Sequence, residues 1–215
     1  MNILFDLDGT LTDPGVGIVS CIRYALERLG RDMPADQALL RYIGSPLREA
    51  FCELLNTSDR CAIDHAVNVY RERYSTIGLL ENEVYAGIPE ALAQLSERGD
   101  ALFVATSKPE IYAQRILEHF GLAGHFRKIW GCELDGTRSD KGELIAHLLQ
   151  HEKLAPAETL MIGDRSHDAV GARANGIVPI GVLWGYGDEA ELTSAQCKML
   201  LRRPQELTSL SPSRP

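Results

Sequence analysis

Five short apolar runs along the chain predict buried strands, and the first of them ends abruptly at acidic residues and Gly9. The runs cover residues 2–5, 101–105, 128–130, 159–162 and 178–183. After each of the first four runs lies a segment whose apolar residues recur at helical spacing. From residue 89 onward the predicted helices cover residues 89–98, 110–119, 141–151 and 168–175. Strands that alternate with helices in short units predict a doubly wound, Rossmann-like parallel sheet of the α/β class.

The segment between the first two predicted strands has helical periodicity only. Ile18, Ile22 and Leu26 fall at four-residue spacing, and the pattern stops at Gly30. Further helices are predicted around residues 35–42, 47–55 and 63–77. We therefore expect an inserted helical bundle in residues 15–82 and an α/β core domain in residues 1–14 and 83–215. The end of the chain from Arg202 is rich in Ser, Pro and Thr, which predicts loose order there.

Composition narrows the class of protein. The chain has 215 residues, of which 45% are hydrophobic and 24% charged, as in an ordinary soluble globular protein. Its formal net charge of -8 disfavours non-specific binding to nucleic acid. Its five cysteines include no Cys-x-x-Cys pair, which favours reduced thiols and a cytoplasmic location. No apolar run is long enough to cross a membrane, and the sequence leaves monomer and homodimer open.

Acidic residues directly follow the first predicted strand. Asp6 and Asp8 are two positions apart, so both can face one pocket if the strand continues. Two carboxylates held close together repel each other unless one takes a proton or both share a cation. The pair suits phosphoryl transfer, in which one carboxylate attacks phosphorus and the other passes a proton to the leaving oxygen. Taken alone, an Asp-x-Asp sequence is more often a turn or a helix cap, but Gly9, Thr10 and the strand-end position favour the catalytic interpretation.

Other polar residues follow later strands, where ligands of open parallel sheets bind. Thr106 and Ser107 can grip phosphate oxygens, although such residues commonly cap the next helix. Lys141 begins a predicted helix, where a lone lysine is usually just solvated. Asp164 and Asp168 lie four apart across a strand-to-helix junction and offer the oxygen ligands that Mg²⁺ prefers. Together these weak signals, in this order, predict a metal-assisted phosphoryl-transfer site.

The motif FDLDGTL at residues 5–11, followed by these other motifs in order, resembles the haloacid dehalogenase-like hydrolase superfamily. The resemblance implies that Asp6 is a nucleophile that forms an aspartyl-phosphate. It implies that Asp8 acts as general acid and then as base, with its backbone carbonyl in the metal shell. A dehalogenase would need no such proton donor, because a halide leaves without a proton, so Asp8 favours a phosphatase.

The same resemblance assigns the remaining site residues. Thr106 would hydrogen-bond the phosphoryl group, and Lys141 would neutralise charge on the nucleophile and the phosphate. The implied cofactor is Mg²⁺. Its implied ligands are Asp6, Asp8, Asp164 and Asp168. The expected substrate-binding residues are Gly9, Thr10, Gly44 and Ser107.

The helical insertion resembles the mobile cap of phosphoglycolate phosphatase-like members of the family. Its segment at residues 42–47 matches a loop that reaches the site from the cap and helps to select the substrate. A simple break between two helices, at Gly44 and Pro46, is an equally good interpretation of that segment. The resemblance implies that cap closure excludes water while this loop reads the leaving group.

Residues 133–141, 161–172 and 181–187 resemble a branch of bacterial cytosolic 5′-nucleotidases that are often labelled phosphoglycolate phosphatases. This resemblance implies a Mg²⁺-dependent phosphomonoesterase that acts on a small phosphorylated metabolite, with nucleoside 5′-monophosphates first. Phosphoglycolate is the runner-up substrate. A sugar phosphomutase of the β-phosphoglucomutase kind stays open, because it would share Asp6, Asp8 and the cap. A catalytically dead binding protein is disfavoured, since every catalytic position is filled.

Overall fold

The computed structural model describes residues 1–211. The chain forms two compact units. One unit contains Met1–Asp13 and the chain from Val84 onward, and the other contains Pro14–Glu83. The first unit carries a parallel sheet, and the second is built from helices. No helix within residues 1–211 is both long and apolar enough to cross a membrane.

Eight strands and nine α-helices occur in the described residues. The strands are β1 (Asn2–Phe5), β2 (Thr12–Asp13), β3 (Glu83–Val84), β4 (Ala101–Pro109), β5 (Lys128–Cys132), β6 (Thr159–Gly163), β7 (Val178–Val182) and β8 (Met199–Leu201). The helices are α1 (Gly15–Arg28), α2 (Asp36–Leu39), α3 (Leu47–Leu54), α4 (Arg60–Tyr74), α5 (Ile88–Glu97), α6 (Glu110–His119), α7 (Lys141–Glu152), α8 (Ser166–Ala174) and α9 (Glu189–Ser194).

Six parallel strands form the main sheet in the order β5-β4-β1-β6-β7-β8. β1 lies inside the sheet, and its last residue, Phe5, is in register with Val104 of β4 and Ile162 of β6. Because the strands are parallel, the residues that follow β1, β4 and β6 emerge at one edge of the sheet. The predicted α/β class with a Rossmann-like parallel sheet is confirmed.

Apolar side chains cover both faces of this sheet. On one face, Leu4 lies in register with Phe103 and Met161, and these residues share a core with the inner face of α7. Phe5, the next residue of β1, points to the opposite face, where its ring packs edge-on against Phe126 with ring centroids 6.1 Å apart. The alternation along β1 therefore places an apolar layer on each side of the strand that leads to Asp6.

The helical unit has its own core. Ile22 and Leu26 of α1 are buried, and α1 packs against α4. Phe51 of α3 meets Tyr70 of α4 edge-on, with ring centroids 6.1 Å apart. Gly17 is required where α1 passes the turn after α4, because a Cβ atom there would lie 2.1 Å from the carbonyl oxygen of Gly78.

The structure differs from the sequence predictions mainly in the last third of the chain. The helix α9 and the edge strand β8 were not predicted, because each is too short for its apolar pattern to be recognised. Loose order from Arg202 onward was a wrong prediction as far as residue 211. Residues Pro204–Ser209 form a 3₁₀ helix. Leu207 within this helix is fully buried and Leu210 after it is almost fully buried, so two apolar side chains anchor the segment in the core. Residues 212–215 lie outside the described part of the chain.

Candidate active site

The first strand delivers Asp6 to the carboxyl edge of the sheet. Phe5 ends β1, and the amide N–H of Asp6 still donates to the carbonyl oxygen of Ile162 at 2.9 Å. The chain then turns back tightly over residues 7–12. Asp6 is 3% exposed and Asp8 is 6% exposed. Both carboxylates are therefore removed from bulk water, where their charge depends on nearby partners.

Lys141 is the cationic partner of Asp6. It is the first residue of α7, a helix whose N-cap is the side chain of Asp140. Its ammonium nitrogen lies 3.0 Å from Oδ1 of Asp6 and 2.7 Å from Oδ1 of Asp168. The same nitrogen donates a hydrogen bond to the carbonyl oxygen of Ala105 at 2.9 Å. Helix α7 thus places one buried cation between two carboxylates that are far apart in the sequence.

The surroundings of Lys141 favour its charged form. Burial alone would lower the pKa of Lys141, but the carboxylates of Asp168 and Asp6 outweigh burial and hold the pKa above its usual range. The raised pKa favours the charged form of Lys141 next to Asp6. Such a charge offsets the repulsion between an attacking carboxylate and an anionic phosphate.

Three carboxylates converge beside this lysine. One oxygen each from Asp6, Asp164 and Asp168 lie within 4.8 Å of one another, and all three residues are buried. Burial and the charges of Asp168 and Asp6 raise the pKa of Asp164 well above its usual range. Without a bound cation, the three carboxylates cannot all stay ionised beside the single charge of Lys141, so either a proton or a metal ion must neutralise part of the group. Hard oxygen donors at this spacing fit a divalent cation such as Mg²⁺, which binds carboxylates and keeps several waters.

Asp168 is held from two sides. It sits in the first turn of α8, where its Oδ2 accepts a hydrogen bond from the amide N–H of Arg165 at 3.2 Å. Its other oxygen, Oδ1, faces Lys141. Burial is the main cause that raises the pKa of Asp168, with the Asp6 charge adding to it and Lys141 opposing it. Asp168 is therefore both a candidate metal ligand and a direct partner of Lys141.

A second buried lysine pairs with Asp8. The ammonium nitrogen of Lys108 lies 2.8 Å from Oδ1 of Asp8, and the two side chains are only 6% and 9% exposed, respectively. Burial raises the pKa of Asp8, and the Lys108 charge partly offsets that rise. The sequence reasoning gave Lys108 no role. Its signal was its place directly after Thr106 and Ser107 at the end of a predicted strand.

Thr106 and Ser107 lie in the last part of β4, the neighbour of β1, which continues past the predicted strand to Pro109. Thr106 is 2% exposed, and its hydroxyl oxygen accepts a hydrogen bond from the amide N–H of Lys108 at 3.3 Å. The hydroxyl of Ser107 donates to the carbonyl oxygen of Ser139 at 2.9 Å, in the segment that leads to Lys141. Ser107 therefore braces that segment, and its hydroxyl is already engaged.

The predicted substrate-binding residues belong to both units, and those of the sheet-containing unit lie beside Asp164 or on β4. Thr10 donates its hydroxyl to Oδ1 of Asp164 at 3.3 Å, and Gly9 has a φ of 77° with its Cα directly against the same carboxylate. Both residues thus contact a metal candidate. Gly44 belongs to the helical unit, where its φ is 85°, and it precedes Pro46 at the N-cap of α3.

Two tyrosines border the acidic group, and sequence reasoning missed both. The hydroxyl of Tyr186 donates to Oδ1 of Asp13, and its amide N–H donates to Oδ2 of Asp164 at 2.8 Å. Burial, followed by the charges of Asp13 and Asp164, raises the pKa of Tyr85 above its usual range. No periodicity marks these tyrosines, because they reach the site from loops. The buried acidic group lies at the carboxyl edge of the parallel sheet, where proteins of the Rossmann-like α/β class bind their ligands.

Comparison with known proteins identifies the family. The family model described as haloacid dehalogenase-like hydrolase matches residues 3–182, which is most of the chain. The chain belongs to the haloacid dehalogenase-like hydrolase family, as its sequence resemblance implied. A solved structure of a predicted phosphatase from Clostridium acetobutylicum superimposes with a TM-score of 0.93 at 37% identity, and the match covers 97% of this chain and 96% of that one.

Curated relatives also match most of this chain. A protein named 5′-nucleotidase from Pseudomonas aeruginosa is 52% identical over 91% of this chain and 88% of its own length. A protein named tyrosine-protein kinase PtkA from Mycobacterium tuberculosis is 42% identical over 86% of this chain, but only 62% of its own length is matched. A phosphoglycolate phosphatase from Aquifex aeolicus is 29% identical over 97% of this chain and 95% of its own length. The predicted enzyme class, a phosphoric monoester hydrolase, is confirmed.

Proposed function

We propose that this chain is a Mg²⁺-dependent phosphomonoesterase that hydrolyses nucleoside 5′-monophosphates through an aspartyl-phosphate at Asp6. The observation that carries the proposal is the buried contact of Asp6 with Lys141, inside a group completed by Asp164 and Asp168. The preference for nucleotides rests on the 52% identity to a protein named 5′-nucleotidase. The proposal includes a cytoplasmic location, from the cysteine usage, and a monomer or homodimer.

In this mechanism Asp6 attacks the phosphorus atom, and the bond to the leaving oxygen breaks. Lys141 cancels part of the charge that Asp6 and the phosphate bring together. Thr106, at the end of the neighbouring strand, hydrogen-bonds the phosphoryl oxygens, and the backbone of Ser107 lies next to it. These residues position the phosphate in line with the attacking carboxylate oxygen of Asp6, which is the main source of catalysis in such transfers.

Asp8 acts as general acid and then as general base. It donates a proton to the leaving alkoxide as the aspartyl-phosphate forms, and then takes a proton from the water that hydrolyses the intermediate. Burial raises the pKa of Asp8, which favours the protonated form needed in the first step. Lys108, 2.8 Å away, holds the carboxylate in position between the two steps.

The metal ligands would be the carboxylates of Asp6, Asp164 and Asp168, with the backbone carbonyl of Asp8. When bound, Mg²⁺ supplies Lewis-acid stabilisation of the charge on the phosphoryl oxygens. The convergence of three buried carboxylates, one of which has a strongly raised pKa, supports a cation at this place.

We further propose that residues 15–82 are a cap domain and that residues 1–14 and 83–215 are the catalytic core. Within the cap, Gly44 would contribute to the choice of leaving group. Phosphoglycolate phosphatase activity is the alternative, supported by the relative from Aquifex aeolicus. A sugar phosphomutase remains the other alternative, because it would use the same two aspartates.

The test is phosphate release from a panel of esters, in Mg²⁺ and in EDTA. The panel contains 5′-nucleotides, phosphoglycolate, β-glucose 1-phosphate and p-nitrophenyl phosphate. Wild type is compared with Asp6→Asn and with Asp32→Asn, a control at an exposed aspartate. We expect metal-dependent release that Asp6→Asn loses and Asp32→Asn keeps, with a nucleotide as the best ester.

Other outcomes are equally informative. Phosphoglycolate as the best ester would replace the proposed substrate but keep the mechanism. Conversion of β-glucose 1-phosphate to its isomer without phosphate release would establish the mutase. Full activity of Asp6→Asn, or failure to find one phosphoryl group on Asp6 by mass spectrometry after an acid quench, would refute the aspartyl-phosphate.

A further inference from the structure

The segment Trp184-Gly185-Tyr186-Gly187, here called the WGYG segment, follows β7 and lies against the metal candidate Asp164. The amide N–H of Tyr186 donates to Oδ2 of Asp164 at 2.8 Å. The other oxygen of the same carboxylate, Oδ1, accepts the hydroxyl of Thr10 at 3.3 Å. Each oxygen of Asp164 therefore has one hydrogen-bond donor, and the plane of its carboxylate is fixed.

Glycines make this approach possible. At Gly185 a Cβ atom would lie 2.2 Å from the carbonyl oxygen of Gly9 and 2.5 Å from Oδ2 of Asp164. At Gly187 it would lie 1.9 Å from the carbonyl oxygen of Asp164. These distances are far below van der Waals contact, so the backbone of the WGYG segment touches Asp164 directly. Any side chain at Gly185 must push the segment away from Asp164 and Gly9.

Two side chains of the segment anchor it to the turn after β1. The indole N–H of Trp184 donates to the carbonyl oxygen of Thr10 at 3.0 Å. The hydroxyl of Tyr186 donates to Oδ1 of Asp13. Thr10 and Asp13 lie a few residues beyond Asp6 and Asp8. The segment therefore connects the turn that carries these two aspartates to the strand end that carries Asp164.

We propose that the WGYG segment is a positioning element that fixes the carboxylate of Asp164 in its metal-binding orientation before Mg²⁺ arrives. The proposal rests on the magnesium site of the proposed function. Asp164 is fully buried, and the Tyr186 amide and the Thr10 hydroxyl each donate to a different oxygen of its carboxylate, which restricts rotation of that carboxylate about its Cβ–Cγ bond. Residues that orient a metal ligand commonly contribute about 10- to 100-fold in metal affinity. The segment binds no substrate in this proposal and acts only through Asp164.

The test measures Mg²⁺ binding, not activity. Isothermal titration calorimetry with Mg²⁺ alone would compare wild type with Gly185→Ala, Trp184→Phe and Tyr186→Phe. Gly124→Ala is the matched control, because a Cβ atom at Gly124 meets no atom within 4 Å. Tyr24→Phe is the control for the lost hydroxyl, since Tyr24 donates to Glu72 on the exposed surface of the helical unit.

We expect Gly185→Ala to weaken Mg²⁺ binding by about 10- to 100-fold. Trp184→Phe and Tyr186→Phe each keep an aromatic ring and lose one anchoring hydrogen bond, so we expect losses of about 3- to 10-fold from each. The two controls should bind as wild type does. If Gly185→Ala does not fold, the two anchor variants still decide the question.

Wild-type Mg²⁺ affinity in a folded Gly185→Ala, or in both anchor variants, would overturn the proposal. Absence of Mg²⁺ binding by the wild type would overturn both this inference and the proposed cofactor. A normal affinity in the variants with intact phosphatase activity would overturn the inference alone. Loss of Mg²⁺ affinity in Gly124→Ala as well would show that the effect is not specific to the WGYG segment.

Discussion

The ammonium nitrogen of Lys141 lies 3.0 Å from Oδ1 of Asp6, with both side chains almost fully buried. The contact joins the first strand to the start of α7, across the β4 strand that lies between β1 and β5 in the sheet. A buried ion pair is costly to form, and removing one partner leaves an uncompensated charge. This pairing is therefore better explained by chemistry at Asp6 than by stability of the fold.

Replacing Lys141 with methionine should affect activity and stability together. We expect phosphate release to fall by about 10²- to 10³-fold, the usual effect of losing one stabilising charge at a reacting centre. Without metal, the free energy of unfolding should fall by about 3 kcal/mol, because Asp6 and Asp168 lose their shared cation. Initial rates and urea unfolding in EDTA measure the two effects.

Lys128→Met is the control for this experiment. Lys128 is an exposed lysine that pairs with Glu110, so its loss should leave activity unchanged and shift stability by less than about 1 kcal/mol. Activity of Lys141→Met within about threefold of wild type would contradict the assigned role.

The pair of Asp8 and Lys108 predicts an effect that depends on the leaving group. p-Nitrophenolate leaves without a proton, whereas the alkoxide of a nucleotide needs one. Lys108→Met loosens the position of Asp8, so kcat/KM for a nucleotide should fall about tenfold more than kcat/KM for p-nitrophenyl phosphate. Asp8→Asn should show the same pattern with a larger ratio, because it removes the proton donor itself.

An equal loss for both esters in Lys108→Met would instead assign Lys108 to phosphate binding or to structure. Asp8→Asn supplies a second check, because it also slows hydrolysis of the aspartyl-phosphate. A rapid burst of p-nitrophenol followed by a slow phase is therefore expected for that variant. Its absence would count against Asp8 as the base of the second step.

The sequence predicted the site largely through one rule, that parallel strands present their carboxyl ends at one edge. Asp6, Thr106 and Asp164 each follow or end an apolar run, so their convergence needed no knowledge of distant contacts. The family resemblance added the roles of these residues, and the family itself is confirmed. The convergence of Asp6 with Asp164 and Asp168 follows from the sheet order β4-β1-β6.

The contacts that were missed all depend on long-range packing. Trp184 and Thr10, which form a hydrogen bond, are separated by 174 residues, and no local pattern marks either as a partner of the other. The pairing of Lys108 with Asp8 depends on how β4 ends beside the turn after β1. The strand β8 has only three residues, so its β structure comes from pairing with β7 and not from its own alternation.

The segment around Gly44 offers a prediction on substrate choice. Gly44 has a φ of 85°, so Gly44→Ala strains the turn before α3 by about 1 kcal/mol. If this segment helps to select the substrate, Gly44→Ala and Pro46→Ala should change the ranking of kcat/KM across the ester panel by more than about fivefold. Their melting temperatures should stay within a few degrees of wild type. Gly30→Ala is a control, because Gly30 also has a positive φ but lies just after α1, where a Cβ atom would meet no atom within 4 Å. An unchanged ranking would leave the segment a simple helix break.

The ion pair of Arg73 and Glu81 in the helical unit predicts a dependence of stability on pH. Two hydrogen bonds of 2.6 Å and 2.8 Å join the guanidinium to the two carboxylate oxygens. These bonds lower the pKa of Glu81 from its ordinary value of 4.5, against the opposing effect of burial. A depressed pKa stabilises the folded state above the unfolded pKa, and the benefit is lost as the pH falls through the folded pKa.

We therefore expect Glu81→Gln to lower the free energy of unfolding by about 1 kcal/mol at neutral pH, discounted for the partial exposure of the pair. The difference from wild type should shrink as the pH falls below about 4.5 and vanish once Glu81 is protonated in the folded state. Urea unfolding followed by far-ultraviolet circular dichroism across this range measures it. Asp36→Asn, which breaks the exposed pair with Arg23, should cost less than about 0.5 kcal/mol at any pH. A destabilisation of Glu81→Gln that is constant with pH would show that packing, and not the charge of Glu81, supplies its contribution.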